Sequence, residues 1–564
     1  MHSSPPLRVP VGPDAHRWST FRAERTLVVA ARTVTSTVRV LECLPALIRN
    51  DSRVSVVFAH DPTSAFGDGV LQLLHDAGCR IMPWDQLAEA APDLILTASE
   101  NIDVPEGDCP VLVLPHGVGF QKLVPDSRSE RVRLSGVVPA GLLEAGRAWL
   151  AVSHPEQEEQ LLGSHPKTAG RTLLIGDPCY DELLGSRQER DAYRRALGVP
   201  DGRRLVLVSS TWGPTSLIGQ DPDLPGRLLA ALPYDEYRVA LVAHPNVWAG
   251  HGSWQLRTLQ ASALDAGLVL VDPVHDWRPA LVAADLVIGD HGSVTLYGAS
   301  LGTPVLLAAF GADAVPGTAA EALARVAPRL DDRADLANQV AEALRSYDPE
   351  PCAAVARRAF ADSGRAHARL RKELYRLLRL PEPAGASPRA PVLAPPAPAG
   401  ARCTAWRVTT TVTAAGPGRP EVAVRRLPAA VAEPGTEAAG TFVHLACEEG
   451  ERDRHLAESA SVILGRRPAG ADAPRWIADA LDRYPGSRIA AVPTGPGAVL
   501  AGLRDGRLLA ATVAVPDVPD PGPVAAGLYA LLRAGLPLPD ARLTLRTGTA
   551  PSTGVTLHPY VPPA

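Results

Sequence analysis

Short apolar runs alternate with segments of helical periodicity from residue 26 onward, and the first five runs are predicted to be strands. They are Thr26–Ala31, Val54–His60, Arg80–Trp84, Asp93–Ser99 and Pro110–Pro115. After the first run, one face of a helix is marked by Val38, Leu41, Leu44 and Leu47. Continuously apolar strands that alternate with helices are typical of a parallel sheet covered on both faces. The pattern predicts a Rossmann-like domain over residues 26–195, preceded by a loose tail over residues 1–25.

The same alternation restarts and predicts a second Rossmann-like domain over residues 196–380. Its predicted strands are Arg204–Trp212, Arg238–Pro245, Gly267–Pro273, Asp285–Asp290 and Pro304–Phe310. Its predicted helices include Trp254–Ala266, Trp277–Ala284 and a last helix that ends at Leu380. In doubly wound folds of this kind the ligand lies beyond the carboxyl ends of the strands. Strand ends are therefore the places to look for chemistry.

One strand end stands out, in the stretch from Ala284 to Leu307. A short apolar strand is followed by a polar turn and then by a helix, and the turn consists of Asp290, His291, Gly292 and Ser293. The start of such a helix offers unpaired backbone amides at the positive end of the helix dipole, which favours an anion. The alternative is an ordinary strand–helix connection in which Ser293 caps the helix.

The chain changes character after residue 380. Residues 381–402 are rich in proline and alanine and are predicted to be a flexible or extended linker between independent folding units. Beyond them, residues 403–564 are predicted to form an α+β domain of unknown role, with a hairpin turn at Arg504, Asp505 and Gly506. Its predicted strands are Trp406–Ala414, Glu421–Leu427, Ala498–Gly506 and Arg507–Val515. Its predicted helices are Ala457–Leu464, Ala473–Leu481 and Pro523–Ala534.

Composition narrows the class of protein. The chain has 564 residues, a net charge of -5 and a pI near 6.3, which argues for several domains and against a general nucleic-acid binder. Its 7 cysteines are scattered and contain no Cys-x-x-Cys pair, so reduced thiols and a cytoplasmic location are expected, with no metal. No signal-like or membrane-spanning apolar run is present. Contact with the inner face of the membrane is left open, and its candidate basic patch is Arg371, Lys372, Arg376 and Arg379.

Two histidines end apolar strands of the predicted domains. His116 opens the sequence His-Gly-Val-Gly with Lys122 close behind, and His244 is followed by Pro245, which fixes the backbone. Imidazole titrates near neutral pH and could act as a general base at either place. The alternative is that each is a loop histidine with a structural hydrogen bond.

These motifs together resemble the CDP-glycerol glycerophosphotransferase family, the teichoic-acid-type polymerases and primases of GT-B architecture. The motifs are the His-Gly loop at His116, the His-Pro strand end at His244, the Asp290–Ser293 turn and the stretch Val206–Leu217. The resemblance covers residues 26–380. It implies that the first domain faces the acceptor and the second binds the nucleotide donor.

The resemblance also implies roles for the candidate residues. His116 would deprotonate the acceptor hydroxyl, and His244 would contact the donor diphosphate and help the nucleotide leave. Gly292 and Ser293 would hold phosphate oxygens, while Asp290 would orient the turn or hold His291. Further cations for the donor phosphates would be Arg32 and Lys122. No cofactor is implied besides the donor, and both polymers and lipid-linked molecules fit as acceptors.

Departures from the family pattern keep other functions open. The family's turn usually has Asp-Tyr-Ser-Ser where this chain has Asp290 to Ser293, and the acidic residue expected further on is replaced by Tyr297 or Gly298. A nucleotide-sugar glycosyltransferase would use the same architecture. A nucleotide-sugar 2-epimerase would too, although only Arg32-Thr33 remains of its usual opening motif. A GT-B-like protein that binds nucleotide without turnover is the alternative from another class.

Overall fold

The computed structural model describes residues 17, 19–126, 132–199, 202–397, 402–414, 420–433, 435–466, 472–514, 517, 520–538 and 542–561. Within these residues the chain forms two α/β domains, each built on a parallel sheet, and a β-barrel that follows them. The predicted pair of Rossmann-like domains is therefore present. Most of the predicted tail over residues 1–25, and parts of the predicted linker and last domain, lie outside the described residues.

The first domain is organised around one parallel sheet. Its described strands are β1 (Arg25–Ala31), β2 (Val54–His60), β3 (Ile81–Pro83), β4 (Leu94–Thr97), β5 (Val111–Val113), β6 (Leu123–Pro125), β7 (Val132–Leu134), β8 (Ala148–Val152) and β9 (Thr172–Leu174). Its described helices are α1 (Val34–Leu47), α2 (Val70–Asp76), α3 (Ala140–Glu144), α4 (Pro155–Ser164) and α5 (Pro178–Gly185). The sheet has the order β3-β2-β1-β4-β5-β8-β9, while β6 and β7 form a separate antiparallel pair.

Helix α1 begins directly after β1, and its start is fixed by a capping box. The amide of Ser36 donates to Thr33 Oγ1 at 3.2 Å, and the amide of Thr33 donates to Ser36 Oγ at 3.2 Å. The stripe predicted from sequence then packs on the sheet, with Leu44 and Leu47 buried against β1 and β2. The opposite side of α1 faces the second domain.

The second domain repeats the arrangement. Its described strands are β10 (Arg204–Ser210), β11 (Tyr237–Ala243), β12 (Val269–Leu270), β13 (Leu286–Gly289) and β14 (Val305–Leu307), in the parallel order β12-β11-β10-β13-β14. The helices that run from here to the linker are α6 (Arg190–Ala196), α7 (Leu217–Gln220), α8 (Leu224–Ala231), α9 (Pro245–Leu259), α10 (Ala261–Asp265), α11 (Trp277–Ala283), α12 (Ser293–Ser300), α13 (Ala319–Val326), α14 (Leu336–Arg345), α15 (Pro349–Ala359) and α16 (Ala366–Leu378). The last of these, α16, returns to the first domain and buries Leu370, Leu374 and Tyr375 beside α1.

Loops from the two domains bond to each other and hold them close. The amide of Leu123 donates to the carbonyl of Asp313 at 2.7 Å, and the amide of Val315 donates to the carbonyl of Gln121 at 2.9 Å. The side chain of Gln121 also accepts from the amide of Ala320 at 2.8 Å. These bonds bring the carboxyl ends of both sheets to one cleft.

The last domain is a closed barrel. Its described strands are β15 (Ala405–Ala414), β16 (Pro420–Pro428), β17 (Thr441–Glu448), β18 (Val462–Leu464), β19 (Ile489–Gly495), β20 (Ala498–Leu503), β21 (Leu508–Val513), β22 (Arg542–Thr547) and β23 (Thr553–Pro559). Its described helices are α17 (Arg454–Ser459), α18 (Ala473–Arg483) and α19 (Pro521–Arg533). The strands close in the order β15-β16-β22-β23-β21-β20-β19-β18-β17. The predicted hairpin at Gly506 joins β20 to β21.

Helix α19 fills the barrel, because its side chains pack with the inward residues of strands from all around it. Strand alternation separates the two faces: Val462 and Leu464 point inward, while Ile463 packs under α18 outside. The predicted helix Ala457–Leu464 is wrong in its second half, since α17 ends at Ser459 and β18 follows. The far end of the predicted strand Arg507–Val515 lies outside the described residues.

The barrel is docked on the second domain at the edge where β10 and β11 begin. The buried guanidinium of Arg426 forms an ion pair with Asp235, with Nε donating to Asp235 Oδ2 at 2.9 Å, and it also pairs with Asp520 at 2.7 Å. The amide of Tyr234 donates to the carbonyl of Arg426 at 2.8 Å. This edge is opposite to the cleft, so the barrel lies away from it.

The described part of the predicted linker is tied to the second domain. It contains neither helix nor strand from 381 to 397, but Leu393 is only 9% exposed and packs in the core beside Tyr193. The carbonyl of Leu393 accepts from the hydroxyl of Tyr193 at 2.6 Å, and its amide donates to Ser186 Oγ at 3.0 Å. The described part of the predicted linker is therefore anchored to the second domain at Leu393.

Two expectations concern contact of the chain with a membrane. No helix among the described residues is long and apolar enough to cross a membrane. In the predicted basic patch, Arg371 pairs with Glu382 at 3.1 Å and Arg376 pairs with Glu373 at 2.5 Å. Two of its four cations are therefore already matched by carboxylates.

Candidate functional site

A cleft of about 410 Å³ lies between the first two domains, beyond the carboxyl ends of both sheets. Residues from the ends of six strands line it: Arg32, Ser99, His116, Thr211, His244 and His291. All of its lining residues in the described part of the chain precede residue 298. The placement agrees with the position of ligands in doubly wound folds, and all eight residues predicted for the site lie at this cleft or in the turn beside it.

His116 is held in one tautomer. Its Nδ1 lies 3.1 Å from the carbonyl oxygen of Ala98, and since a carbonyl can only accept, Nδ1 carries the proton. The Nε2 lone pair is left free to take a proton from a ligand. The buried Glu100 is close by and bonds to Arg133 at 2.6 Å. Burial opposes ionisation of Glu100, but His116 and Arg133 hold the pKa of its carboxyl below the usual value. A carboxylate beside His116 would favour the imidazolium formed on proton uptake.

His244 is held in the opposite tautomer. It caps α9, and its Nδ1 accepts from the amide of Asn246 at 3.0 Å, so the proton of the neutral ring is on Nε2. Burial lowers the pKa of His244 to about 3, and the nearby positive charge of Lys122 acts in the same direction. The ring is therefore neutral near pH 7 and offers Nε2–H as a hydrogen-bond donor at the cleft.

Asp290 fixes the turn between β13 and α12. Its buried carboxylate accepts from the amides of Thr211 at 2.8 Å, Leu217 at 2.9 Å and Gly292 at 2.9 Å. A Cβ atom at Gly292 would stand 3.0 Å from this carboxylate and 3.1 Å from Thr211, so any larger residue would push these neighbours by a few tenths of an ångström. The turn leaves the first amides of α12, at residues 293–295, without an acceptor among the described residues.

The side chains of the other two turn residues are already engaged. Ser293 Oγ accepts from the amide of Val118 in the first domain at 3.1 Å. His291 is fully buried: its Nδ1 accepts from the amide of Gly311 at 3.1 Å, and its Nε2 lies 3.1 Å from Asp313 Oδ2. The predicted phosphate contact by His291 would need its two bonds to rearrange. Ser293 Oγ is only an acceptor in its bond to Val118, so its hydroxyl hydrogen can still be donated to a phosphate oxygen. As it stands, the turn therefore offers an anion the backbone amides of α12 and the Ser293 hydroxyl.

The two predicted cations line the cleft with partners of their own. Lys122 Nζ is 3.3 Å from Asp313 Oδ2 and 3.1 Å from the carbonyl of Trp212, and it lies 4.9 Å from the centre of the Trp212 ring. Arg32 Nε is 3.1 Å from Asp61 Oδ2. Lys122 and Arg32 are each already paired with a carboxylate, so each would contact a ligand as part of that ion pair.

Two further carboxylates at the site, those of Glu100 and Asp313, were not predicted from the sequence. Glu100 follows β4, the strand beside β5 in the sheet, so it is a polar strand-end residue that could have been found by the rule applied to His116. Asp313 follows β14 in a loop and contacts Lys122 and His291. Although burial opposes its ionisation, the contacts with His291 and Lys122 hold the pKa of Asp313 below its usual value. No sequence signal separates this carboxylate from other loop aspartates.

The cleft thus combines a proton acceptor, a neutral donor and a helix start. Such a set suits attack by a hydroxyl group on a centre whose leaving group carries negative charge. Within the described residues no group of three or more His, Cys, Asp or Glu side chains is arranged to hold a metal ion.

Solved structures of low identity are similar to this chain. The wall teichoic acid polymerase TagF, soaked with CDPG, matches at 13% identity over 63% of this chain and 89% of its own, with a TM-score of 0.43. UDP-GlcNAc 2-epimerase from Neisseria meningitidis, bound to UDP-GlcNAc, matches at 14% identity over 63% of this chain and 100% of its own, with a TM-score of 0.41. A glycosyltransferase from Rickettsia africae matches at 11% identity over 63% of this chain and 98% of its own, with a TM-score of 0.36.

Structural similarity at TM-scores this low gives no information about the chemistry of this chain. No protein-family model matches the sequence, and a comparison with curated proteins finds no match.

Proposed function

We propose that this protein is a transferase that uses a nucleotide-activated donor, with CDP-glycerol as the leading donor and glycerophosphate as the transferred group. The observation that carries the proposal is the pairing of opposite tautomers at one cleft. His116 has a free Nε2 lone pair because Ala98 holds its Nδ1, and His244 has a free Nε2–H because Asn246 holds its Nδ1. One ring can accept a proton while the other donates a hydrogen bond.

The proposed reaction uses each group once. The acceptor hydroxyl gives its proton to His116 Nε2 as its oxygen attacks the phosphorus that bears glycerol. The bond from that phosphorus to the bridging oxygen breaks, and CMP leaves with the electron pair. The free amides of α12 and Nε2–H of His244 stabilise the charge on the leaving phosphate. Asp290 acts only as a positioning residue, since its carboxylate bonds to the backbone amides of the turn and of two neighbouring segments.

The same residues would serve a nucleotide-sugar glycosyltransferase, in which the acceptor oxygen attacks the anomeric carbon and a nucleoside diphosphate leaves. A thermal-shift screen with CDP-glycerol, CMP, UDP-sugars and GDP-sugars separates the donors. We expect the largest stabilisation with the cytidine compounds, followed by transfer or slow hydrolysis of CDP-glycerol. Stabilisation by a UDP- or GDP-sugar alone would move the assignment to a glycosyltransferase.

A protein that binds nucleotide without turnover is the second candidate. The bonds already made by His291 favour it, because they occupy both ring nitrogens of a side chain assigned to the donor phosphates. Nucleotide binding without transfer or hydrolysis, in the presence of hydroxyl acceptors, would support this candidate. The polymer or lipid-linked nature of the acceptor, and work at the inner face of a membrane, are further parts of the proposal.

A further inference from the structure

Helix α1 presents a polar stripe to the cleft that the reaction proposed above does not use. Thr35 and Arg39 are four residues apart and both line the cleft, so they lie on one face of the helix. Arg39 is only 5% exposed, and its Nε and Nη1 have no hydrogen-bond partner among the described residues. The hydroxyl of Thr35 is also buried and without a partner there.

A buried guanidinium without partners is costly, because the group stays charged and has lost its hydration. Three carboxylates, those of Asp177, Glu42 and Glu182, lie within electrostatic range of Arg39, but each contacts another group. Asp177 accepts from the hydroxyl of Tyr297 at 2.7 Å and from the amide of Tyr180 at 3.0 Å.

Glu42, the second of those carboxylates, forms an ion pair with Arg278 at 2.6 Å. Burial raises the pKa of Glu42 to about 7, so its negative charge is incomplete near neutral pH. Glu182, the third carboxylate, also pairs with Arg278. The Nε atom of Arg278 has no hydrogen-bond partner among the described residues, but Arg278 does not line the cleft. The donors left over on this wall of the cleft therefore belong to Arg39 and Thr35.

We propose that Arg39 and Thr35 form an anion-binding subsite that receives a carboxylate or phosphate group of the acceptor. The forked guanidinium suits either oxyanion, and the Thr35 hydroxyl supplies one further donor. The subsite belongs to the first domain, whereas the α12 amides belong to the second, so one cleft has two separate places for negative charge. That the ligand is the acceptor rests on the function proposed above, but the anion site itself does not.

Binding of small anions tests the site directly. Calorimetric titration of the full chain with glycerol 3-phosphate and with methyl glucuronide distinguishes phosphate from carboxylate, and glycerol and methyl glucoside are the neutral controls. We expect Arg39→Gln to weaken binding of the preferred anion by roughly tenfold to a hundredfold, as for a lost charge-assisted hydrogen bond. Arg49→Gln removes an exposed charge just beyond the end of the same helix and should leave binding unchanged.

Anion binding at the Asp290–Ser293 turn must be distinguished from anion binding at this subsite. In a Gly292→Val background the anion bound at the α12 amides should be lost, while the Arg39-dependent binding remains. Loss of all anion binding in Gly292→Val, with none lost in Arg39→Gln, would overturn the proposal. If Arg39→Gln does not fold, Arg39→Lys and Thr35→Val replace it, and unchanged anion affinity in both would overturn the proposal equally.

Steady-state kinetics then connects the subsite to the acceptor. Arg39→Gln should raise KM for an anionic acceptor about tenfold or more and leave KM for the donor unchanged. Anion binding that depends on Arg39 in a protein without transfer activity would refute the proposed function and leave the subsite standing. Transfer activity with an acceptor KM that is insensitive to Arg39 would refute the subsite's role and leave the function standing.

Discussion

At the scale of single residues, the two cleft histidines should give different phenotypes. His116→Ala should lower the single-turnover rate by about 10²–10⁴-fold, the range for a positioned acid or base, with donor affinity nearly intact. The reason is that its free Nε2 is suited to a proton of the acceptor and not to the donor phosphates. His244→Ala should lower both rate and donor affinity, because Nε2–H would contact the donor itself.

Donor affinity by calorimetry and single-turnover rates decide this prediction. His251 is exposed on the same helix as His244, so His251→Ala is the matched control and should behave like the parent. If the His116 and His244 variants also turn over like the parent, neither ring is catalytic and the transferase proposal fails. Changes in donor binding alone would favour the nucleotide-binding candidate.

His444 in the barrel predicts a loss of stability in acid. It is 5% exposed, neither ring nitrogen has a described hydrogen-bond partner, and burial lowers its pKa to about 3. In the unfolded chain its pKa returns to roughly 6.5, so the unfolded state takes up the proton first as pH falls. The stability that His444 supports is complete above about pH 6.5 and declines between about 6.5 and 3, by about 2 kcal/mol at about pH 5.

His444→Phe removes the titrating group while keeping a ring beside Tyr529, whose centre is 4.2 Å away. Urea unfolding at pH 7 and pH 5 should show a smaller loss of stability for this variant than for the parent. His455→Phe, at an exposed histidine of the same domain, should keep the parental loss. Equal losses in all three proteins would mean that His444 is hydrated or bonded in solution.

The positions of the candidate site residues could be predicted from the sequence, but their hydrogen bonds could not. Strand ends follow from apolar runs, so His116, His244 and the Asp290 turn could be placed at the carboxyl ends of the strands in the two predicted sheets. The tautomer of His244 is set locally by the amide of Asn246, but that of His116 depends on the carbonyl of Ala98, 18 residues before it. The bond from Val118 to Ser293 spans 175 residues, and no local pattern encodes it.

At the scale of elements, one close contact between the two domains depends on a glycine. A Cβ atom on Gly117 would stand 2.5 Å from Ser293 Oγ and 3.1 Å from its Cβ. Gly117→Ala should therefore push the His116 loop away from α12 and open the cleft. We expect weaker donor binding and a larger radius of gyration by small-angle scattering.

Two further variants make the prediction specific. Gly163 is in helix α4, where an added Cβ atom would have no described neighbour within 4 Å, so Gly163→Ala should change neither observable. Adding Ser293→Ala to Gly117→Ala removes the oxygen at 2.5 Å and should restore part of the closure. A Gly117→Ala protein with the parental radius and donor affinity would show that the loop adjusts without opening the cleft.

Helices and strands could be predicted correctly where they are specified by a local pattern of apolar and polar residues. Buried strands such as Val54–His60 are apolar throughout most of their length and agree with β2 residue for residue. The elements of the barrel were harder to predict from the sequence. Helix α17 is followed almost directly by β18, and the apolar run up to Leu464 fits both a helix and a strand. Closure of the barrel depends on pairings such as β16 with β22, which join Glu421 to Thr544 across 123 residues of chain.

At the scale of the whole molecule, composition indicated a linker but could not show where it docks. Proline and alanine dominate residues 381–402, yet the side chain of Leu393 enters the core of the second domain. The barrel is likewise fixed by Arg426, whose ion pair with Asp235 spans 191 residues. A fragment without the barrel is therefore expected to fold independently only if it keeps the Leu393 side chain in the core of the second domain.

Fragments of the chain test this organisation. A fragment that ends at residue 397 keeps Leu393 and every described residue of the cleft, so it should bind the donor nucleotide like the full chain. A fragment that ends at residue 380 loses the Leu393 side chain from the core and the acceptor for the Tyr193 hydroxyl. Its free energy of unfolding should be lower by about 2–5 kcal/mol, the usual cost of removing a buried leucine side chain.

Thermal and urea unfolding, with calorimetric titration of CMP, separate the outcomes. Leu393→Ala in the full chain is the matched variant and should reproduce most of the instability of the shorter fragment while the barrel is still present. Equal stability of the two fragments would mean that Leu393 contributes little, and the linker would then be the free tether that its composition suggests. A folded fragment ending at residue 397 that no longer binds a nucleotide bound by the full chain would show that the barrel completes the site, although it docks at the opposite edge of the second sheet.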